Sequence, residues 1–240
     1  MSVRGVSASV QDWRAFEAMT AREVLAWAFK EYHPRIAFAS SFGAEDVVVI
    51  DLLTELSPEA RIFTLDTGRL PAETYTLMEA IRDRYGVSIE VYSPRAEDVQ
   101  AMVRERGVNL FYKSVENRKL CCGVRKVEPL GRALEGLDAW ITGLRRDQAV
   151  TRTEVGKVEV DSDRGGIIKI NPIADWTWDQ VWAYIRGHRL PYNALHDRGY
   201  PSIGCAPCTR AVEPGEDLRA GRWWWERDPA AKECGLHPAR

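Results

Sequence analysis

Short apolar runs that alternate with helical segments constrain the fold of this 240-residue chain more than any other feature. The strand-like runs lie at residues 35–40, 61–65, 88–92 and 139–142, and the helical segments that follow the first three lie at 44–56, 71–85 and 95–106. Strands that alternate with helices at this spacing form a mostly parallel sheet with helices on both faces. We therefore predict an α/β fold, in which ligands bind beyond the carboxyl ends of the strands.

Additional elements flank this alternation. They are two short helices within residues 10–33, a β-hairpin formed by residues 158–160 and 167–170, and a helix at 176–188. Thr20 and Glu23 form a capping box, which fixes the start of the second of the two short helices. Regular periodicity fades after residue 191, and no internal repeat divides the chain. We expect a single domain over residues 1–240, with an α/β core at about 34–191 and a C-terminal extension at 192–240.

The composition excludes several classes of protein. With 45% hydrophobic residues the chain buries a core, and 33 Lys and Arg against 35 Asp and Glu argue against a nucleic-acid coat protein. No apolar run approaches the roughly 18 residues of a membrane span. Residues 1–10 lack the pattern of a signal peptide. We expect a cytoplasmic protein with neither nucleic-acid nor membrane partners, and the sequence leaves open whether it forms a homo-oligomer.

Two loops of small residues follow the first two predicted strands. The first contains Ser40, Ser41 and Gly43, and the second contains Asp66, Thr67 and Gly68. A small-residue loop before a helix presents backbone amides to a phosphate. The first loop lacks the Gly-Lys-Ser/Thr ending of a Walker loop and the Ser-Gly-Gly start of an ATP pyrophosphatase loop. Together the two loops predict a nucleotide site in one crevice.

Four cysteines form two pairs, the adjacent Cys121 and Cys122 and the spaced Cys205 and Cys208. In a reducing compartment such thiols are more often metal ligands than disulfides. An adjacent pair is awkward for one zinc ion, whereas a [4Fe–4S] cube offers a separate iron to each sulfur. We therefore favour a [4Fe–4S] cluster. A zinc site and buried apolar thiols are the alternatives.

The fifth cysteine, Cys234, lies six residues from the end of the chain. Lys232 precedes it and His237 follows it, and both favour a thiolate. Tail thiols are more often incidental than catalytic, but these neighbours make Cys234 a candidate nucleophile.

These residues resemble one family, the assimilatory sulfonucleotide reductases. The resemblance runs from about residue 40 to residue 237 and rests on both cysteine pairs, the early Ser-Phe-Gly loop, Leu-Asp-Thr-Gly, Arg-Ala-Gly-Arg-Trp-Trp-Trp at 219–225 and Glu-Cys-Gly-Leu-His at 233–237. The cysteine pairs are similar to those of the subclass that reduces adenosine 5′-phosphosulfate (APS). The subclass specialised for the 3′-phosphorylated nucleotide (PAPS) shares the tail but lacks the four cysteines.

The resemblance implies a fold, a reaction and a set of residues. The fold is that of the adenine-nucleotide hydrolases, which is PP-loop-like, with the nucleophile on the C-terminal extension. The reaction converts APS to sulfite and AMP for sulfate assimilation and cysteine biosynthesis, with thioredoxin or glutaredoxin as reductant. The implied residues are the cluster ligands Cys121, Cys122, Cys205 and Cys208, the nucleophile Cys234, the substrate contacts Lys126, Arg219, Arg222 and His237, and a ribose or phosphate contact at Arg145.

These residue types suit the reaction because a thiolate and a sulfate repel each other. At 4 Å the repulsion is about 1 kcal/mol in water and about 4 kcal/mol at an effective dielectric near 20. Lys126, Arg219 and Arg222 supply the compensating charge, since Arg presents a planar fork to sulfate oxygens and Lys a point charge. The last two are one helical turn apart if that segment is helical.

Three other functions compete with APS reduction. The first is a reductase that prefers or also accepts PAPS. The second is a nucleotide-activating enzyme such as a tRNA-thiolating enzyme with a cluster, although it should carry a Ser-Gly-Gly loop. The third is a zinc-binding interaction protein, which would be colourless.

Overall fold

The computed structural model describes residues 13–226 and 235–236. Its six strands are β1 (Ile36–Ser40), β2 (Ile62–Leu65), β3 (Ile89–Tyr92), β4 (Ala139–Ile141), β5 (Val158–Asp161) and β6 (Ile167–Ile170). They form one sheet in the order β3-β2-β1-β4-β6-β5. Only the β5–β6 pair is antiparallel. The predicted α/β class with a mostly parallel sheet is confirmed.

Helices cover both faces of this sheet. They are α1 (Ala21–Tyr32), α2 (Ala44–Leu56), α3 (Ala72–Tyr85), α4 (Ala96–Arg106), α5 (Val115–Cys122), α6 (Glu128–Leu134) and α7 (Trp178–His188). Helices α1, α2, α3 and α7 pack on one face around a large core that includes Phe38 of β1. Helix α6 packs on the other face, where its Leu130 contributes to a second cluster with Ala37 and Trp140. Neighbouring strand residues reach opposite faces, so Ala37 and Phe38 enter different clusters.

The structure confirms the predicted elements that fall within the described residues. Each strand and helix begins and ends within two residues of its predicted limits, and Thr20 with Glu23 forms the predicted capping box. Residues 10–12 lie outside the described residues. The sequence analysis missed α5, α6 and the π-helical turn Gly123–Val127 that joins them.

The extension packs against the core through large side chains. Across 192–226, its described stretch, it contains two short 3₁₀ turns and no α-helix or strand. Trp223 is 2% exposed and clusters with Phe111 and Cys121. Arg118 on α5 forms a buried ion pair with Glu226, with Nε 2.8 Å from Oε1. These contacts place the extension over the carboxyl end of the sheet. Among the described helices, none has the length and apolar character to cross a membrane.

Candidate functional site

A cleft opens where β1, β2 and β4 end, on the side predicted to bind a ligand. Seven residues that the sequence analysis selected line it, namely Ser40, Ser41, Gly43, Lys126, Arg145, Arg219 and Arg222. They come from the β1–α2 loop, the π-helical turn, the segment after β4 and the extension. The structure therefore brings together side chains that are up to 182 positions apart in the chain.

The β1–α2 loop is organised around a carboxylate of its own chain. Asp46 on α2 accepts hydrogen bonds from the Ser41 amide (2.6 Å), the Ser41 hydroxyl (2.7 Å) and the Gly43 amide (3.4 Å). The Phe42 amide donates to the Ser40 hydroxyl at 3.1 Å. Burial raises the pKa of Asp46 to about 6, although the Ser41 hydrogen bonds oppose this effect. The loop was expected to offer its amides to a phosphate, but these three amides already have partners inside the protein.

Arg145 holds the start of α2 instead of presenting a free cation. Its Nη2 lies 2.7 Å from Glu45 Oε1, and its Nη1 lies 3.3 Å from Asp147 Oδ2 and 3.1 Å from the Trp176 carbonyl oxygen. The guanidinium is 1% exposed and lies over the ring of Trp178. Arg145 lines the cleft as predicted, but its donors are directed to these groups. A direct role with ribose or phosphate stays a prediction.

Arg222 is a buried cation whose hydrogen-bonding capacity is only partly used. Its Nη1 lies 3.2 Å from the Ile203 carbonyl oxygen and 3.4 Å from the Ser202 hydroxyl, and its buried Nε has no hydrogen-bond partner in the described part of the chain. No carboxylate among the described residues forms an ion pair with Arg222. A buried charge without a counterion is unfavourable, so this position is suited to an anionic ligand.

Lys126 and Arg219 bring two more cationic side chains to the same cleft. The segment of Arg219 is a turn and not the helix that would place it one helical turn from Arg222. The Arg222 amide closes this turn by donating to the Arg219 carbonyl oxygen at 2.9 Å. Both side chains nevertheless line the cleft, as the sequence predicted. Arg152, which sequence reasoning did not select, lines it as well and is 9% exposed.

The loop of Asp66, Thr67 and Gly68 was expected to face this crevice, and the structure places it elsewhere. The Thr67 hydroxyl lies 3.2 Å from Cys205 Sγ, and the Thr67 carbonyl oxygen accepts a hydrogen bond from Arg125 Nη1 at 2.6 Å. Asp66 accepts hydrogen bonds from the Gly68 amide and from a tyrosine hydroxyl of α3, each at 2.8 Å. The loop thus borders the cysteine pairs instead of the cleft lining.

The four predicted ligand cysteines line one small cavity. Cys121 and Cys122 end α5, and Cys205 and Cys208 flank a 3₁₀ turn of the extension. The other residues around this cavity include four cationic side chains, namely Arg69, Arg118, Arg125 and Lys126. Burial raises the pKa of the Cys121 thiol, and it raises the pKa of the Cys208 thiol to about 12.

The donor set of this cavity fits a four-iron cluster better than one zinc ion. Four sulfurs that bind one tetrahedral zinc lie about 3.8 Å apart, because each Zn–S bond is about 2.3 Å. All four cysteines are among the described residues, and no three of their sulfurs lie within 4.8 Å of one another. A cube spaces its ligands more widely, since each sulfur binds a different iron. Cationic side chains around the cavity also suit an anionic cluster of thiolates.

Two predicted catalytic residues, Cys234 and His237, lie outside the described residues. The two residues between them are described. Leu236 lines the cleft, and Gly235 borders a second groove beside Val127 and Arg164.

Sequence reasoning missed three buried groups of the cleft. Asp46 orders the β1–α2 loop, and Arg152 adds a cation. His196 contributes a ring whose two buried nitrogens make no hydrogen bond of normal geometry within the described chain. Burial lowers the pKa of His196, although the Glu45 carboxylate opposes this effect. For Asp46 and Arg152 the available signal was their proximity in the sequence to Gly43 and Arg145, which is weak evidence on its own, and for His196 there was no signal.

Comparison with known proteins shows the family to which this chain belongs. Residues 35–211 match the phosphoadenosine phosphosulfate reductase domain. The chain belongs to this reductase family. An adenosine 5′-phosphosulfate reductase of Allochromatium vinosum is 56% identical over 202 residues, which cover 84% of this chain and 78% of that protein. One of Burkholderia cepacia is 54% identical over 208 residues, which cover 86% and 82%.

Solved structures agree with the family. The phosphoadenylyl-sulfate reductase of Candida auris, in a phosphate complex, has a TM-score of 0.71 and 31% identity and covers 83% of this reductase and 94% of that chain. The FMN adenylyltransferase of Candida glabrata has a TM-score of 0.55 at 14% identity, covers 95% and 76% of the two chains, and shows the fold alone. These neighbours confirm the PP-loop-like fold that the resemblance implied.

In this reductase, the cleft and the cysteine cavity share Lys126. The Lys126 charge lowers the pKa of the Cys208 thiol, against the larger raising effect of burial. The shared lysine places a cation between the cleft and the cysteine cavity.

Proposed function

We propose that this reductase converts APS to sulfite and AMP through a covalent intermediate on Cys234. In the first step the Cys234 thiolate attacks the sulfate sulfur, the bond from that sulfur to the phosphate oxygen breaks, and AMP leaves with the electron pair. The product on the enzyme is a cysteine S-sulfonate. The observation that carries the proposal is a cleft that contains the buried cation Arg222 together with Lys126 and Arg219, in a chain whose relatives named above reduce this sulfonucleotide.

The cationic side chains have separate tasks in this step. Arg222 is buried and fixed by the Ile203 carbonyl oxygen, so it orients an anion that enters the cleft. Lys126 and Arg219 neutralise the growing charge on the leaving phosphate. Each good charge-assisted hydrogen bond contributes about 1.5–3 kcal/mol. Because Arg145 is paired with Glu45, we assign it to positioning α2 instead of binding the sulfate.

We propose that Cys121, Cys122, Cys205 and Cys208 hold a [4Fe–4S] cluster. When bound, this cluster supplies a fixed charge and a structural tie at the sulfate end of the cleft. Arg69 and Arg125 keep the cavity cationic, whereas the charge of Arg118 is balanced by Glu226, and Thr67 supports Cys205 through its hydroxyl. Because a dithiol donates two electrons, the reaction needs no electron from the cluster.

In the second step, we propose that the reductant is an external dithiol protein such as thioredoxin. One of its thiolates attacks the Cys234 sulfur, and sulfite leaves with the electron pair. Its second thiol then breaks the mixed disulfide, which frees Cys234 and oxidises the reductant by two electrons. A glutaredoxin can perform the same exchange. We place this chemistry in the cytoplasm, where such reductants keep thiols reduced.

The test of the covalent step is mass spectrometry, of the intact protein and of its tryptic digest, after the holoenzyme is mixed with APS in the absence of reductant. We expect a sulfonate adduct on the tryptic peptide 233–240, which contains Cys234 as its one cysteine. A Cys234→Ser variant should bind AMP with unchanged affinity and form no adduct. Nucleotide binding without any adduct in the unaltered enzyme would overturn the proposal.

Two further measurements test the substrate and the cluster. Sulfite release from APS and from PAPS distinguishes the proposed substrate from the main alternative, a reductase that prefers PAPS or accepts both. An anaerobic visible spectrum with an iron and sulfide count tests the cluster. A colourless protein that contains one zinc would contradict the cluster but would leave the covalent step open to the mass-spectrometric test.

A further inference from the structure

We propose that Arg164 is a positioning residue that anchors the C-terminal segment at Gly235, and so controls how readily Cys234 reacts. This proposal rests on the proposed function, since it names the residue that binds the segment that carries the nucleophile. Arg164 lies in the β5–β6 turn and borders the second groove together with Gly235. It donates a hydrogen bond from Nη2 to the Gly235 carbonyl oxygen at 3.2 Å.

The guanidinium of Arg164 is held in place independently of the segment. Its Nη1 lies 3.4 Å from Asp161 Oδ2, and both side chains are largely buried, with 14% and 7% exposed. Its Cζ lies 5.6 Å from the ring centre of Trp140, which is an attractive position for a cation. A donor that is oriented in advance loses less conformational entropy when it binds. Arg164 is therefore a preoriented hydrogen-bond donor for a carbonyl oxygen.

The segment also makes an apolar contact next to the hydrogen bond with Arg164. Leu236 packs against the cluster on the α6 face of the sheet, which includes Leu130 and Trp140, and it lines the cleft at the same time. Two successive residues are thus fixed, Gly235 through the hydrogen bond from Arg164 and Leu236 through burial. These residues follow Cys234 directly in the chain.

Gly235 has the conformation that this attachment requires. Its φ is +81°, a left-handed value that residues with a side chain rarely adopt. A Cβ at this position would lie 3.4 Å from Val127 Cγ2, at the edge of a comfortable contact. An alanine at position 235 therefore disfavours the conformation in which this residue accepts the hydrogen bond from Arg164. It leaves Arg164, Asp161 and Trp140 unchanged.

The test measures the accessibility of Cys234 in the holoenzyme. Iodoacetamide labelling is followed by mass spectrometry of peptide 233–240, without nucleotide and with saturating AMP. We expect Arg164→Ala to raise the labelling rate about tenfold, which corresponds to about 1.4 kcal/mol, with AMP affinity unchanged. Arg164→Lys keeps the charge but lacks the planar fork, so its rate should be intermediate.

A second variant guards against a general loss of stability. Arg164→Ala leaves the buried Asp161 without this partner, so its thermal midpoint has to be measured alongside. Gly235→Ala does not touch Asp161 and should raise the labelling rate in the same direction. Arg61→Ala is the matched control, because Arg61 pairs with Glu90 and has no hydrogen bond or ion pair with Gly235 or Leu236, the described residues of the segment. The anchor is wrong if Arg164→Ala and Gly235→Ala both label within twofold of the unaltered enzyme.

Single-turnover formation of the sulfonate adduct separates this proposal from the proposed function. If the unaltered enzyme forms no adduct, the covalent mechanism fails, and the labelling rates still decide the anchor. If the adduct forms, Arg164→Ala should slow its formation several-fold while the AMP affinity stays the same. An unchanged rate of adduct formation, with the adduct present, would contradict the positioning role.

Discussion

At the scale of single residues, Arg222 carries much of the chemistry of the cleft. It is 7% exposed, and its buried Nε has no hydrogen-bond partner within residues 13–226 and 235–236. Gly204 makes room for it, because a Cβ there would lie 2.3 Å from Arg222 Nη2. The protein therefore bears the cost of a buried guanidinium before any anion arrives. Such a cost is recovered only when a ligand supplies the missing charge.

This reasoning gives a prediction for Arg222→Gln. Loss of the charge should weaken AMP binding about 10- to 100-fold, the equivalent of roughly 1.5–3 kcal/mol for hydrogen bonds to a charged group. The ligand-free variant should be no less stable than the unaltered protein, because an unpaired buried charge has been removed. Calorimetric titration and a thermal scan measure the two effects. Arg210→Ala is the control, because Arg210 pairs with Glu216 in the same extension. Unchanged AMP affinity would contradict the assignment.

Asp46 makes stability depend on pH in a defined direction. Burial raises its pKa from 3.8 to about 6, so the folded state holds the proton more tightly than the unfolded state. The stabilisation from this proton is fully present below pH 3.8 and is lost as the pH rises through about 6.

We therefore compare the unaltered protein with Asp46→Asn, which does not titrate. The free energy of unfolding of the unaltered protein, relative to the variant, should fall by on the order of 2–3 kcal/mol between pH 4 and pH 7. Urea denaturation at several pH values measures this difference. Asp83→Asn, at an exposed side chain on α3, is the control for replacing an aspartate by asparagine. Parallel curves for the unaltered protein and Asp46→Asn would rule out the raised pKa.

At the scale of elements, the segment after β4 and the start of α2 meet at very short range. A Cβ on Gly143 would lie 2.3 Å from Asp46 Oδ1, so this position accepts only glycine without rearrangement. The contact links the end of β4 to the carboxylate that orders the β1–α2 loop. One glycine therefore sets the geometry of two of the loops that line the cleft.

Two glycine substitutions should have opposite effects. Gly143→Ala should lower the thermal midpoint and weaken AMP binding, because Asp46 has to move. Gly131→Ala lies in α6 with no atom within 4 Å of the new Cβ, and it should stabilise the protein by about 0.5–1 kcal/mol through helix propensity. Thermal scans of both variants test the pair. Equal effects of the two substitutions would mean that crowding at Gly143 is relieved elsewhere.

The elements that sequence reasoning missed are α5, which carries Cys121 and Cys122, the π-helical turn, which carries Lys126, and α6. Helices α5 and α6 have eight and seven residues, and Pro129 and Gly131 interrupt the helical pattern of α6. Short helices give few repeats, so their periodicity is hard to recognise. The π-helical turn between them also shifts the pattern, and such turns are frequent at functional sites. Longer elements such as α2 were predictable because their apolar runs extend over several turns.

The partners of loop residues were less predictable than the loops themselves. The sequence indicated correctly that Ser41 and Gly43 line a cleft at the end of β1. It could not show that Asp46 would accept hydrogen bonds from their amides. A carboxylate three residues after Gly43 is compatible with amides that are bonded to it and with amides that face a ligand. Thr67 was assigned to the same crevice, but it lies beside Cys205, because the extension returns over that loop. Contacts made by a distant segment are not encoded in local patterns.

At the scale of the whole molecule, the order of the strands places the cleft. Strand β1 lies between β2 and β4, so the connections that leave β1 and β4 go to different sides of the sheet. A crevice opens at such a point in an open parallel sheet. The alternation of strands and helices was sufficient to predict a ligand site beyond the carboxyl ends of the strands, but it did not predict the order of the strands. The path of the extension across the crevice was not predictable, because its described residues contain no α-helix or strand.

The cysteine cavity joins the extension to α5, which gives a prediction for loss of the cluster. Chelation of the metal should reduce the hydrogen-exchange protection of residues 204–209 and 221–226, because the tie between Cys208 and Cys121 is lost. Strands β1 and β4 should keep their protection, since their core does not include the cavity. Mass-spectrometric exchange of holo- and apoprotein measures this. A uniform change across the molecule would show that the cavity supports the whole fold instead.

The position of Lys126 in the walls of both cavities has a thermodynamic consequence. An ammonium group that interacts with the occupants of two neighbouring sites couples their affinities, and the coupling free energy is the same in both directions. If metal occupancy strengthens nucleotide binding by some factor, the nucleotide must make the metal harder to extract by that same factor. Each of the two occupants then raises the affinity of the protein for the other, and a shortage of one of them in the cell weakens the binding of the other.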